Sequence, residues 1–121
     1  MPGESFSTVR IFWPEFSKEE LIKRIREGIK SILNVLPITK VVLFGSYAEG
    51  RHTAASDIDL LVIYKGPKKQ GDYSICWDAF GIPQLELHIY TEEECRKLKS
   101  KGSTLLEEAE KKGIIIWLSP P

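Results

Sequence analysis

The chain is poor in cysteine, has no bias of charge and carries no long apolar run. Its two cysteines among 121 residues, Cys76 and Cys95, stand in no CxxC or Cys/His spacing, so a zinc site is not expected. They read as free thiols in a reducing compartment. Lysine plus arginine equals aspartate plus glutamate, 17 each. That balance argues against a dedicated nucleic-acid coat or a basic membrane patch, and no direct nucleic-acid binding is expected. No apolar stretch approaches the roughly 20 residues that span a bilayer. The opening MPGESFSTVR lacks the basic region followed by an apolar stretch of a signal peptide. A cytoplasmic location is therefore expected. There is no internal repeat and no low-complexity tract. The length suits one domain, residues 1–121, with room for a single core and little for a second.

The pattern that is present mixes strands and helices. Thr8–Trp13 reads as a short strand ended by Pro14. Ser17, with Glu20 three residues on, forms a capping box that opens a helix. Its apolar stripe is Leu21, Ile22, Ile25, Ile29, Ile32 and Leu33, and Asn34 and Pro37 mark its end. Lys40–Phe44 reads as a buried strand. Ile58–Tyr64 is apolar on both faces and is expected at the centre of a sheet. Residues 65–73 form a loop carrying Lys65, Lys68 and Lys69. Ser74–Phe80 is ambiguous between strand and helix. Gln84–Tyr90 alternates as a third strand. Thr91 with Glu94 makes a second capping box, opening a helix to about Lys101. Thr104–Lys112 is a further helix, with Gly113 in the C-cap role. Ile114–Leu118 is a last strand or an apolar tail. The expected fold is α/β (α+β): a mixed sheet of three to five strands with helices packed against it.

Asp57 and Asp59 head the central strand, two residues apart, and side chains at that spacing share a face. Two such carboxylates repel each other, more so when buried. A divalent cation would relieve them, since hard cations take oxygen ligands. A lone Asp-Ile-Asp can equally be a turn, with Asp57 bonding nearby amides. An EF-hand is excluded by Leu61 and Val62, where its loop needs a polar residue and a glycine. Glu86, mid-strand with Leu85 and Leu87 on the opposite face, is either a solvent-facing edge residue or the third member of a carboxylate cluster. Three such groups can hold two ions roughly 4 Å apart, the arrangement suited to in-line phosphoryl displacement. Gly45–Ser46 follows a strand and opens a short helical segment, Tyr47 to Glu49. The turn is either an ordinary serine cap or a phosphate cradle, because unpaired amides at such a start bind anions. GSYAEG, residues 45–50, imitates a Walker loop, but Arg51 and His52 stand where Lys and Ser or Thr are required. His88 shares the Glu86 face and reads as a structural histidine or a residue at the rim of the site. Trp13, Trp77 and Trp117 read as core or interface aromatics.

Gly45-Ser46, ten residues, then Asp57-Ile58-Asp59, with Glu86 on a later strand, resembles the nucleotidyltransferase superfamily of DNA polymerase β. The short chain is similar to its minimal nucleotidyltransferases, the antitoxin partners of helical HEPN proteins. The resemblance runs from about Val41 to Ile89. It implies that Gly45 and Ser46 hold a triphosphate and that Asp57, Asp59 and Glu86 hold two Mg2+ ions, with Glu86 as general base. The family's third acid is usually aspartate, and Glu86 is one methylene longer. Many members carry arginine where this chain has Glu49; Arg51 is a candidate substitute.

The implied reaction transfers a nucleoside monophosphate, AMP from ATP, to a hydroxyl. The resemblance points to a tyrosine of a HEPN toxin as acceptor, with this chain as antitoxin in a homodimer or hetero-oligomer. Two alternatives stand beside it: an antitoxin that neutralises its partner by contact alone, and a nucleotidyltransferase acting on a small molecule.

Overall fold

The structure, a computed structural model, describes residues 17–50 and 57–119. The strand expected at Thr8–Trp13, together with Trp13, Arg51 and His52, lies outside these residues.

Helix α1 (Lys18–Ile32) begins where its capping box dictates. The Glu20 amide donates to Ser17 Oγ at 3.1 Å, and the Ser17 amide donates back to Glu20 Oε1 at 3.2 Å. Strand β1 (Ile38–Phe44) leads into a one-turn helix α2 (Ser46–Glu49). Strand β2 (Ile58–Tyr64) follows. The ambiguous SICWDAF segment is helical, within α3 (Asp72–Phe80). Its buried residues Asp72, Cys76 and Phe80 recur every four positions, and Gly81 ends it in the left-handed conformation. Strand β3 (Leu85–Thr91) passes into α4 (Glu92–Ser100) through the second capping box, in which Glu94 N donates to Thr91 Oγ1 at 3.1 Å. Helix α5 (Thr104–Lys112) and strand β4 (Ile114–Leu118) complete the described chain. Gly113 closes α5 in extended backbone, φ −82°. What it supplies is space, since a β-carbon there would strike the Ala109 carbonyl and the Val42 side chain.

The sheet is mixed and four-stranded, in the order β3-β2-β1-β4. Strand β1 pairs antiparallel with β2 and β4, and β2 pairs parallel with β3. The parallel pair needs a crossover, which α3 supplies. IIIWL is thus a paired edge strand, although Ile115 and Leu118 remain more than half exposed.

The sheet divides the apolar residues between two faces. On one, Val41, Leu43, Leu60 and Val62 pack against α1 through Leu21, Ile25 and Ile29. All three helix residues are fully buried, each contributing about 1.5–3 kcal/mol. On the other, Val42, Phe44, Leu61 and Ile63 meet Cys95, Leu106 and Ala109 of α4 and α5. The double coverage is why β1 and β2 read as unbroken apolar runs. It also yields a second, smaller cluster where a single core was expected.

The loop after β2 is tied down by polar contacts. Tyr64 donates its hydroxyl to Asp72 Oδ2 at 2.8 Å and accepts from the Lys69 amide at 2.8 Å. Lys68 Nζ stands 3.0 Å from Asp72.

Candidate active site

Three strands deliver the site. Phe44, the last residue of β1, is the cross-strand partner of Asp59 on β2. Asp59 is in turn the partner of Glu86 on β3. Asp59 and Phe44 thus share the sheet face that carries Leu61 and Ile63. On β3, Glu86 and His88 lie two residues apart and share it too. The ligand atoms of Asp59, Glu86 and His88 all lie within 4.8 Å of one another. His88 Nε2 is 3.7 Å from Asp59 Oδ1 and 4.0 Å from Glu86 Oε2.

The Gly-Ser turn abuts the cluster. Gly45 has φ +81°, a conformation that L side chains rarely adopt. A β-carbon on it would run into the Asp59 carboxylate. Tyr47, 1% exposed, anchors the turn in the core under α1. Gly50, left-handed at φ 74°, ends the helical turn.

Burial pushes the Asp59 carboxyl above the ordinary carboxylate range. The charge of Glu86 pushes in the same direction, and His88 pulls the other way. This carboxylate is therefore short of positive charge.

Of the residues singled out in the sequence, Gly45, Asp59 and Glu86 stand together. Ser46 follows Gly45 as the first residue of α2. Asp57 is exposed, one residue before β2, and is not among the side chains that converge. Glu86 is both things its sequence context suggested. Its side chain is 55% exposed on an edge strand, and it is also a neighbour of Asp59. His88, read as structural or peripheral, sits inside the cluster. The signal was its i+2 spacing from Glu86.

Two carboxylates and an imidazole from two adjoining strands, beside a Gly-Ser turn, form a donor set that could hold a metal ion. The family profile described as "Nucleotidyltransferase domain" matches residues 22–116, most of the chain. The chain belongs to the nucleotidyltransferase domain family. Among curated relatives, "Putative protein adenylyltransferase MJ0141" of Methanocaldococcus jannaschii is 41% identical over 46 residues, 38% of this chain and 46% of that protein. A second M. jannaschii protein of the same description, MJ0604, is 43% identical over 47 residues, 39% of this chain and 46% of that protein. The matched stretch thus spans about half the length of these relatives. Among solved structures, a nucleotidyltransferase-like chain from Sulfolobus solfataricus superposes with a TM-score of 0.56 at 20% identity, covering 95% of this chain and 90% of that one. A chain of a toxin-antitoxin complex with AMP-PNP gives 0.58 at 20% identity, covering 81% and 73%. A chain from the tri-AMPylated Shewanella oneidensis HEPN toxin in complex with MNT antitoxin gives 0.53 at 17% identity, covering 84% and 73%. The structural likenesses establish the nucleotidyltransferase fold.

Proposed function

We propose that this nucleotidyltransferase-family chain transfers AMP from ATP to a hydroxyl, a tyrosine of a HEPN-type protein partner, and acts as the antitoxin of that pair. The observation that carries the reading is the convergence of Asp59 and Glu86 beside the Gly45–Ser46 turn. The relatives' descriptions support the choice of AMP and of a protein acceptor.

The donor set fits a divalent cation. Burial and the nearby Glu86 already disfavour the charged form of Asp59, and a cation would reverse that. Asp59 and Glu86 would hold the metal, with Asp57 at the mouth of β2 as a further ligand, and Mg2+ is the ion we assign. When bound, divalent ions neutralise phosphate charge and acidify the acceptor hydroxyl. Gly45 leaves room for a phosphate to approach the backbone, and Ser46 adds a hydroxyl donor. Glu86, more than half exposed, is placed to take the acceptor's proton as general base. The acceptor oxygen then bonds to the α-phosphorus in line as the bond to the β-phosphate oxygen breaks, and pyrophosphate leaves. As in other phosphoryl transfers, the protein chiefly positions and neutralises. Among the described residues no helix is long and apolar enough to cross a membrane. Two buried free thiols support a reducing cytoplasm.

The test is incubation with ATP and Mg2+, with and without the HEPN-type partner, read by mass spectrometry. AMP should appear on a partner tyrosine and be lost in Asp57→Asn and Asp59→Asn. Neutralisation that survives both substitutions would instead mark a contact antitoxin. Transfer without any partner would mark a small-molecule enzyme.

A further inference from the structure

We propose that His88 is itself a ligand in this site, and that its imidazole raises the affinity for first-row transition ions relative to Mg2+, with Mn2+ as the probe. The inference rests on the metal-site reading above.

The placement comes from the sheet register. Asp59 faces Glu86 and Leu61 faces His88 across the parallel pair. His88 thus starts two residues further along the strands, and its Nε2 reaches back toward the carboxylates. The separations of 3.7 and 4.0 Å exceed hydrogen-bonding range. They are what two donors show on either side of a shared ion, since ligands ~2.1 Å from one metal stand roughly 3–4 Å apart. The ring is held for the purpose. It lies against Phe44, centroids 5.5 Å apart and planes tilted by 50°, and its side chain is only 19% exposed. Phe44 is itself 5% exposed, so the imidazole is fixed by the core on one side and faces the two acids on the other.

Chemistry then sets the ion. Mg2+ demands oxygen ligands and keeps its waters. Imidazole nitrogen favours later first-row metals, and carboxylates accept Mn2+ readily. Two carboxylates and one imidazole suit Mn2+ better than Mg2+. A different role for His88, as a cation offsetting Asp59 and Glu86, predicts the opposite sign: its removal would strengthen metal binding, because a positive neighbour would be gone.

The experiment measures Mn2+ binding by the loss of the free-ion EPR signal, and Mg2+ by competition, on the full chain. Wild type should bind Mn2+ at least about 10-fold more tightly than Mg2+. His88→Ala should weaken Mn2+ at least about 10-fold and Mg2+ less than about 3-fold. Equal losses for both ions, no change, or a gain would overturn the proposal. Should His88→Ala misfold, the wild type still decides. The chain has two histidines, and in the wild type and in His52→Gln alike, pulsed EPR of the bound Mn2+ should show the 14N hyperfine coupling of a coordinated imidazole; its absence from either would refute ligation by His88. Asp59→Asn separates the two readings. It should lose both ions, and if it binds them like wild type, the metal site itself is wrong, whatever His88 does.

Discussion

Gly45 and Asp59 stand so close across the β1–β2 pair that no side chain fits between them. A methyl group on Gly45 would overlap the Asp59 carboxylate, and the Gly45 backbone already has φ +81°. The glycine therefore fixes how near the turn comes to the acid.

Gly45→Ala should fail on both counts. The left-handed backbone and the clash together should cost about 1–3 kcal/mol in urea denaturation. ATP affinity should fall by about 10-fold or more, because the turn must withdraw from Asp59. Wild-type nucleotide affinity in a stable Gly45→Ala variant would show that the turn does not hold phosphate.

Asp59→Asn should separate stability from function. Burial and Glu86 both disfavour the charged carboxylate, so a neutral isostere should stabilise the metal-free protein at neutral pH and raise its Tm. The same change should lower transfer by about 100-fold or more. A lower Tm without metal would mean that attraction to His88 outweighs repulsion from Glu86.

What the sequence made legible was what depends on neighbours in the chain. The capping boxes at Ser17/Glu20 and Thr91/Glu94 place two helix starts because each is a four-residue event. The unbroken apolar run of Ile58–Tyr64 reveals a strand covered on both faces. The site was legible in part. The positions of Gly45, Asp59 and Glu86 follow from strand ends and alternation. His88 was undervalued because its meaning depends on the β2–β3 register, which pairs Leu61 with His88 and is not written locally. Asp57 looked equivalent to Asp59 by spacing, yet β2 begins between them, at Ile58. The SICWDAF segment stayed ambiguous because its helical face is completed by Asp72, outside the apolar run. Gly113 is the helix stop that the sequence indicates, and the Ala109 carbonyl and Val42, the latter far off in sequence, add the demand for a glycine.

Gly113→Ala tests that last point. The backbone there is extended, so any residue could adopt it. Steric conflict with Val42 and the Ala109 carbonyl alone should destabilise the protein by about 1–3 kcal/mol. Pairing it with Val42→Ala should recover part of the loss, read as a non-additive double-mutant cycle. Strict additivity would mean that β4 simply shifts away.

Tyr64→Phe probes the loop after β2 and carries a pH signature. Burial opposes ionisation of Asp72, but the hydrogen bond from Tyr64 and the charge of Lys68 outweigh it and hold the carboxyl below the ordinary range. A lowered carboxyl contributes stability above the ordinary carboxylate range and loses it as pH falls through its own depressed value. Removing the Tyr64 hydroxyl withdraws the donor to Asp72 and the acceptor of the Lys69 amide. The loss at pH 7 should be about 1–2 kcal/mol. Because Asp72 in the variant is held down less, its stability should fall less steeply on acidification, so the gap to wild type narrows below about pH 4. Urea melts at pH 7, 5 and 3 check this. A gap that stays constant across that range would show that the hydroxyl serves only the Lys69 amide and does not tune Asp72.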